Sequence, residues 1–168
     1  KKVGILGAGM MGAGIAYVSA KVGIDVVLLD TGAGISDVVL YAVSLADEVL
    51  VVATPEPTSL TDAYATIKVL ATQQNRRHVG LVINQANRPG EGKLICGQLQ
   101  QVLQRFVGPT PGQTFKLELL AEVKNDQMVR QAVLKRHLLL EHYPGSDAAQ
   151  AIRTLATKLL EQRAATQA

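Results

Sequence analysis

The chain of 168 residues has no tryptophan, two phenylalanines and four tyrosines, so aromatics make up only 4% of it. Few π faces are therefore available for stacking nucleobases. The basic residues are also dispersed, as Arg76-Arg77, Lys135-Arg136 and single positions in the last helix, so the net charge of +3 reads as solvated helix faces and not as a nucleic-acid surface. Cys96 is the only cysteine, which excludes an intramolecular disulfide and suits a reducing, cytoplasmic setting. Apolar runs such as Val49 to Ala53 and Val79 to Ile83 are of strand length, far short of the roughly 18 residues a membrane span needs, and no membrane partner is expected. The first residues lead straight into a strand, so a leader peptide is not expected. His78, His137 and His142 are the only imidazoles and fit no metal spacing such as H-E-x-x-H, so no metal is expected either. The phosphate cradle G-x-x-x-x-G-K-[ST] is also absent.

What is present is a chain with 48% apolar residues, of a length suited to one α/β domain over 1–168 with a sizeable core. Periodicity predicts strands over Lys2 to Leu6, Asp25 to Leu29, Glu48 to Ala53, His78 to Asn84 and Thr114 to Val123. Helices are predicted between them: Met11 to Val22, Asp37 to Ala46, Ser59 to Thr72 with Ser59 and Asp62 as a capping box, Lys93 to Phe106, and Asp126 to Leu140. Tyr143-Pro144-Gly145 breaks the chain, and Ser146 caps a last helix from Asp147 to Arg163, leaving 164–168 as a tail. Such alternation implies right-handed crossovers and a three-layer, doubly wound parallel sheet. Pro55 and Pro57 rigidify the loop after the third strand and shape its rim.

The most informative stretch is Val3-Gly4-Ile5-Leu6-Gly7-Ala8-Gly9-Met10-Met11-Gly12, a strand running into G-x-G-x-x-G and a helix. A second strand answers it, ending at Asp30. Gly7 permits the tight turn, Gly9 lets backbone approach a pyrophosphate, and Gly12 allows close helix-strand packing, while backbone N–H groups from Ala8 to Gly12 face the phosphates. Asp30 has three readings: an acceptor for adenosine ribose hydroxyls, a Mg²⁺ holder acting through water, or a cap on the turn into Thr31-Gly32.

Residues 1–30 resemble the NAD-binding start of bacterial 3-hydroxyacyl-CoA dehydrogenases. From Asp30-Thr31-Gly32-Ala33-Gly34-Ile35-Ser36-Asp37 onward the chain resembles the second half of MinD/ParA-like flagellar-number ATPases, through Thr54 to Tyr64, Val82-Ile83-Asn84-Gln85 and Ala132-Val133-Leu134-Lys135-Arg136. Together the resemblances imply a Rossmann/P-loop-like fold of five strands in the order 2-1-3-4-5, with a Rossmann-type β-α-β unit over 1–30 and an ATPase-derived part over 31–163. In the second family Asn84 matches an asparagine that reads adenine; its other reading is an ordinary turn residue. Neither parent's catalytic elements are complete. The expectation is therefore an engineered chimera, a de novo monomer that binds NAD or another nucleotide weakly at Gly7, Ala8, Gly9, Met10, Met11, Gly12, Asp30 and Asn84 and is not an enzyme. The alternatives are an NAD-dependent oxidoreductase fragment and a MinD/ParA-like ATPase or interaction scaffold.

Overall fold

The computed structural model describes residues 3–6, 28–31, 35–106 and 114–167. Five parallel strands, β1 (Val3–Leu6), β2 (Leu28–Thr31), β3 (Glu48–Ala53), β4 (His78–Ala86) and β5 (Lys116–Lys124), form one sheet in the order β2-β1-β3-β4-β5. Register places Ile5 beside both Asp30 and Leu50, so β1 lies between the second and third strands. The order of the sheet reverses there. β4 is deeply buried, with Val79 to Ile83 all enclosed, as expected of a strand covered on both faces.

Helices α1 (Asp37–Ser44), α2 (Pro57–Gln73) and α3 (Glu91–Phe106) cover one face; α4 (Gln127–Lys135), α5 (Leu139–His142) and α6 (Asp147–Gln167) cover the other. Periodicity explains the docking. In α2 the buried residues Ala63, Thr66, Ile67 and Leu70 recur at helical spacing, and in α3 Ile95, Leu99 and Leu103 do the same. They close on Val79, Leu81 and Ile83 of β4. On the opposite face Leu50, Val82 and Leu120 meet Ala148, Ala149, Ile152 and Leu155, where the alanines let α6 lie close to the sheet. The carbonyls at the end of α1 are satisfied from a distance, since Arg76 donates to the backbone oxygens of Val43 (2.7 Å) and Ala46 (2.6 Å).

Several expectations need correction. α2 starts at Pro57, because proline is preorganised for a first helical position, and Ser59 is not a cap: its hydroxyl accepts the Thr54 N–H at 2.9 Å. The helix predicted over Asp126 to Leu140 stops at Lys135, where Arg136 turns left-handed (φ 54°) and the backbone N–H groups of Arg136 and His137 return to Val133 and Ala132. A second short helix, α5, follows. The last helix continues to Gln167 instead of yielding to a tail at 164. β2 runs through Thr31, so Asp30 sits inside the strand and not beyond its end. The predicted helix over Met11 to Val22 lies outside the described residues.

Candidate functional site

At the carboxyl ends of β3, β4 and β5 the chain encloses a cavity of about 420 Å³, lined by Thr54, Pro55, Glu56, Pro57, Gln85, Asn87, Glu91 and Asn125. Open parallel sheets bind ligands at this edge because strand-to-helix loops gather there. Each wall has a local cause. The bond from Thr54 to Ser59 folds the proline loop back onto α2. Gln85 adopts a left-handed backbone (φ 58°), with its N–H donated to Asn84 Oδ1 at 3.0 Å. The Asn87 N–H donates to Glu91 Oε2 at 2.7 Å, and the Asn125 N–H to the Ala86 carbonyl at 3.0 Å, so the ends of β4 and β5 are tied together.

Glu122 of β5 ties down the start of α3, from which Glu91 lines the cavity. The Glu122 carboxylate accepts the N–H groups of Gly90 (3.1 Å) and Gly92 (2.7 Å), two of the orphan donors at the start of α3. Gly90 has φ +81°, a conformation that glycine adopts without penalty, and a Cβ on Gly92 would stand 2.8 Å from Glu122 Oε2. The approach of helix to strand depends on both.

The cavity wall carries three side-chain amides, Gln85, Asn87 and Asn125, and two carboxylates, Glu56 and Glu91, with no cationic side chain among the lining residues. Such a wall accepts and donates hydrogen bonds to a polar heterocycle or sugar and repels phosphate. Phosphates attached to a ligand held here would have to extend toward β1 and β2.

Of the residues expected to bind, Gly7, Ala8, Gly9, Met10, Met11 and Gly12 lie outside the described residues. Asp30 is described in its backbone alone, paired with Ile5. Next to it, the Thr31 hydroxyl is buried and finds no hydrogen-bond partner among the described residues. Asn84 is half-buried and holds the turn to Gln85; it does not line the cavity. Pro55 and Pro57 do line it, in keeping with the rim expected of them. Sequence reasoning missed Gln85, Asn87, Glu91 and Asn125. A signal existed: two apolar strands run into amide-bearing stretches, Asn84-Gln85-Ala86-Asn87 and Lys124-Asn125-Asp126, at the edge where parallel sheets bind ligands.

Other titratable groups lie away from the cavity. At the start of β4 and β5, Glu118 accepts Lys116 Nζ (2.9 Å) and approaches His78 Nε2 (3.0 Å); the Lys116 bond, helped by His78, holds its carboxyl below the usual range against the opposing effect of burial. Burial pushes the Cys96 thiol up, which suits a structural residue better than a nucleophile. No set of three or more metal-ligating His, Cys, Asp or Glu occurs among the described residues. No described helix is long and apolar enough to cross a membrane.

Comparison with known proteins gives two findings. Residues 2–85, half of the chain, match the 3-hydroxyacyl-CoA dehydrogenase NAD binding domain. The antiactivator FleN of Pseudomonas aeruginosa is 37% identical over 136 residues, covering 81% of this chain and 46% of that protein. The chain thus spans about half the length of the curated relatives it matches. Among solved structures, the Pyrococcus furiosus cell division ATPase MinD has a TM-score of 0.60 at 21% identity, covering 90% of this chain and 59% of that one. MinD from Pyrococcus horikoshii, complexed with Mg-ADP, has 0.57 at 23%, covering 89% and 56%. At these identities the structures establish the fold.

These findings overturn the expectation of an engineered de novo chimera, bound to NAD and without catalysis. A likeness over four fifths of the chain to a natural antiactivator, joined to the fold of MinD ATPases, contradicts both the engineered origin and the exclusion of enzyme activity. The missing G-x-x-x-x-G-K-[ST] bears on how phosphates are held and does not by itself exclude an enzyme.

Proposed function

The chain belongs, through residues 2–85, to the 3-hydroxyacyl-CoA dehydrogenase NAD-binding-domain family, whose fold binds nucleotides, and from its likeness to FleN and to the MinD fold we propose that it is an ATPase of the MinD/ParA type. The observation that carries this reading is the polar cavity where β3, β4 and β5 end. Gln85, Asn87 and Asn125 offer amides to the edge of a purine, and Glu56 and Glu91 accept from amino or hydroxyl donors. Asn84 acts as a positioning residue by holding Gln85. Because the carboxylates repel phosphate, the nucleotide extends toward the switch point at β1, where Gly7, Ala8, Gly9, Met10, Met11 and Gly12 supply backbone N–H groups.

Magnesium suits the remaining groups. The Asp30 carboxylate and the Thr31 hydroxyl, which has no partner among the described residues, are hard oxygen donors, and Mg²⁺ commonly takes only one or two carboxylates together with water and phosphates. When bound, Mg²⁺ would neutralise charge on the nucleotide phosphates. Asp30 is the residue that would hold it through water. The N–H groups of residues 8–12 orient the phosphates, and the cavity wall fixes the base.

The test is calorimetry with ADP and phosphate release from ATP, each with Mg²⁺. Losing two amide contacts in a Gln85→Ala, Asn87→Ala double variant should weaken ADP about tenfold or more, at roughly 1 kcal/mol for each hydrogen bond. Asp30→Asn should lower phosphate release while sparing most ADP affinity. Wild-type protein that binds no ADP at millimolar concentration, or turnover indifferent to Asp30→Asn, would refute the proposal.

A further inference from the structure

The outward face of α4 and the turn into α5 combine features that the nucleotide reading leaves unused. Val133, Leu134 and Leu138 are 50%, 69% and 54% exposed, although large apolar side chains usually find cover. Arg130 stands one turn before Val133 and Leu134, so the guanidinium and the two apolar groups share one helix face. Ala132 is fully buried and fixes that face outward. Lys135 and Arg136 follow directly, both exposed. No ion pair engages Arg130, Lys135 or Arg136 among the described residues.

Arg136 adds a conformational argument. It holds a left-handed backbone (φ 54°) at the helix end, where glycine is the usual occupant and any other residue costs roughly 1 kcal/mol. An arginine there accepts strain and keeps an exposed guanidinium two residues before Leu138. The turn is held firm: α4 and α5 pack together, and the rings of His137 and His142 stack at 3.9 Å.

We propose that this face docks an acidic amphipathic helix from a partner protein. Leucine or similar residues of the partner would cover Val133, Leu134 and Leu138, while its flanking carboxylates pair with Arg130, Lys135 and Arg136. Charge complementarity selects an acidic occupant, and the guanidiniums can take carboxylates bidentately. Apolar residues on α4 and at the start of α5, flanked by basic side chains, match an amphipathic partner helix whose apolar anchors recur at helical spacing. The inference is independent of the nucleotide site, and its test does not involve ATP.

The probe is a fluorescein-labelled 18-residue peptide with leucine at i, i+3, i+4 and i+7 and glutamate at its other exposed positions, an amphipathic pattern of known helical form. Its control is a scrambled peptide of the same composition, and vesicles containing phosphatidylglycerol form a separate arm. Fluorescence anisotropy should show saturable binding of the patterned peptide, weakened by salt and at least tenfold tighter than the scrambled one. Leu134→Ser and Arg136→Gly should each reduce it severalfold, with circular dichroism unchanged, since Leu134 is exposed and glycine suits the Arg136 backbone. Equal affinity for both peptides, absence of binding at millimolar peptide, or vesicle binding lost in the same variants while the peptide is ignored would overturn the proposal.

Discussion

A single carboxylate, Asp126, holds the amino ends of two helices, and removing it should cost more than a single cap. Its Oδ1 accepts the Met128 N–H at 2.8 Å in the first turn of α4, and its Oδ2 accepts the Ala148 N–H at 3.0 Å at the start of α6. Each N-cap bond is worth about 1 kcal/mol and the charge strengthens both, so Asp126→Ala should destabilise by roughly 2–3 kcal/mol. Asparagine can accept through one oxygen only, and Asp126→Asn should lose about half of that. Burial pushes the Asp126 carboxyl up, but the Ala148 and Met128 N–H groups and the Ser146 hydroxyl together hold it below its ordinary value of 3.8. The folded value is thus lower than the unfolded one, and the stabilisation is complete above pH 3.8 and disappears as pH falls through the folded value. Urea unfolding followed by circular dichroism at neutral pH and at about pH 2.5 measures both effects. A deficit for Asp126→Ala below roughly 0.5 kcal/mol, or a gap between wild type and Asp126→Asn that does not narrow in acid, would refute the double-cap argument.

Gly92→Ala gains up to about 1 kcal/mol of helix propensity but pushes Glu122 off the Gly90 and Gly92 N–H groups; net destabilisation of roughly 1–2 kcal/mol in urea unfolding is expected, and a stabilised variant would contradict it. Gln100 bonds both the Phe115 carbonyl (3.1 Å) and the Leu117 N–H (2.6 Å) of edge strand β5, so Gln100→Leu should destabilise by about 1–3 kcal/mol and promote self-association in sedimentation velocity. The Cys96 thiol, pushed up by burial, should react with iodoacetamide at pH 8 about tenfold or more slowly than free cysteine; full-rate labelling of folded protein would show the environment to be misjudged.

Local residue patterns determined a good deal of this protein. The α/β alternation with a parallel sheet, the apolar run of β4 that marks a strand covered on two faces, the bounds of β3 and the Ser146 cap (Ala149 N–H to Oγ, 3.2 Å) are short-range matters, settled within a few residues by side-chain periodicity and proline or serine chemistry. Local signals failed where distant groups competed for the same backbone. Ser59 has a cap's sequence context but is taken by the Thr54 N–H, and the helix after Asp126 ends at Arg136 because its last carbonyls find N–H partners only through a left-handed turn. The candidate site divides the same way. Its rim prolines were legible, while its amide wall was not, because Asn87 and Glu91, where β4 runs into α3, and Asn125, after β5, come from different parts of the chain. The bond from the Asn125 N–H to Ala86 and the Glu122 carboxylate beneath Gly90 and Gly92 bring those parts together. Only tertiary structure decides such a site, since the hydrogen bonds that join its two halves link residues whose separation along the chain no periodicity encodes.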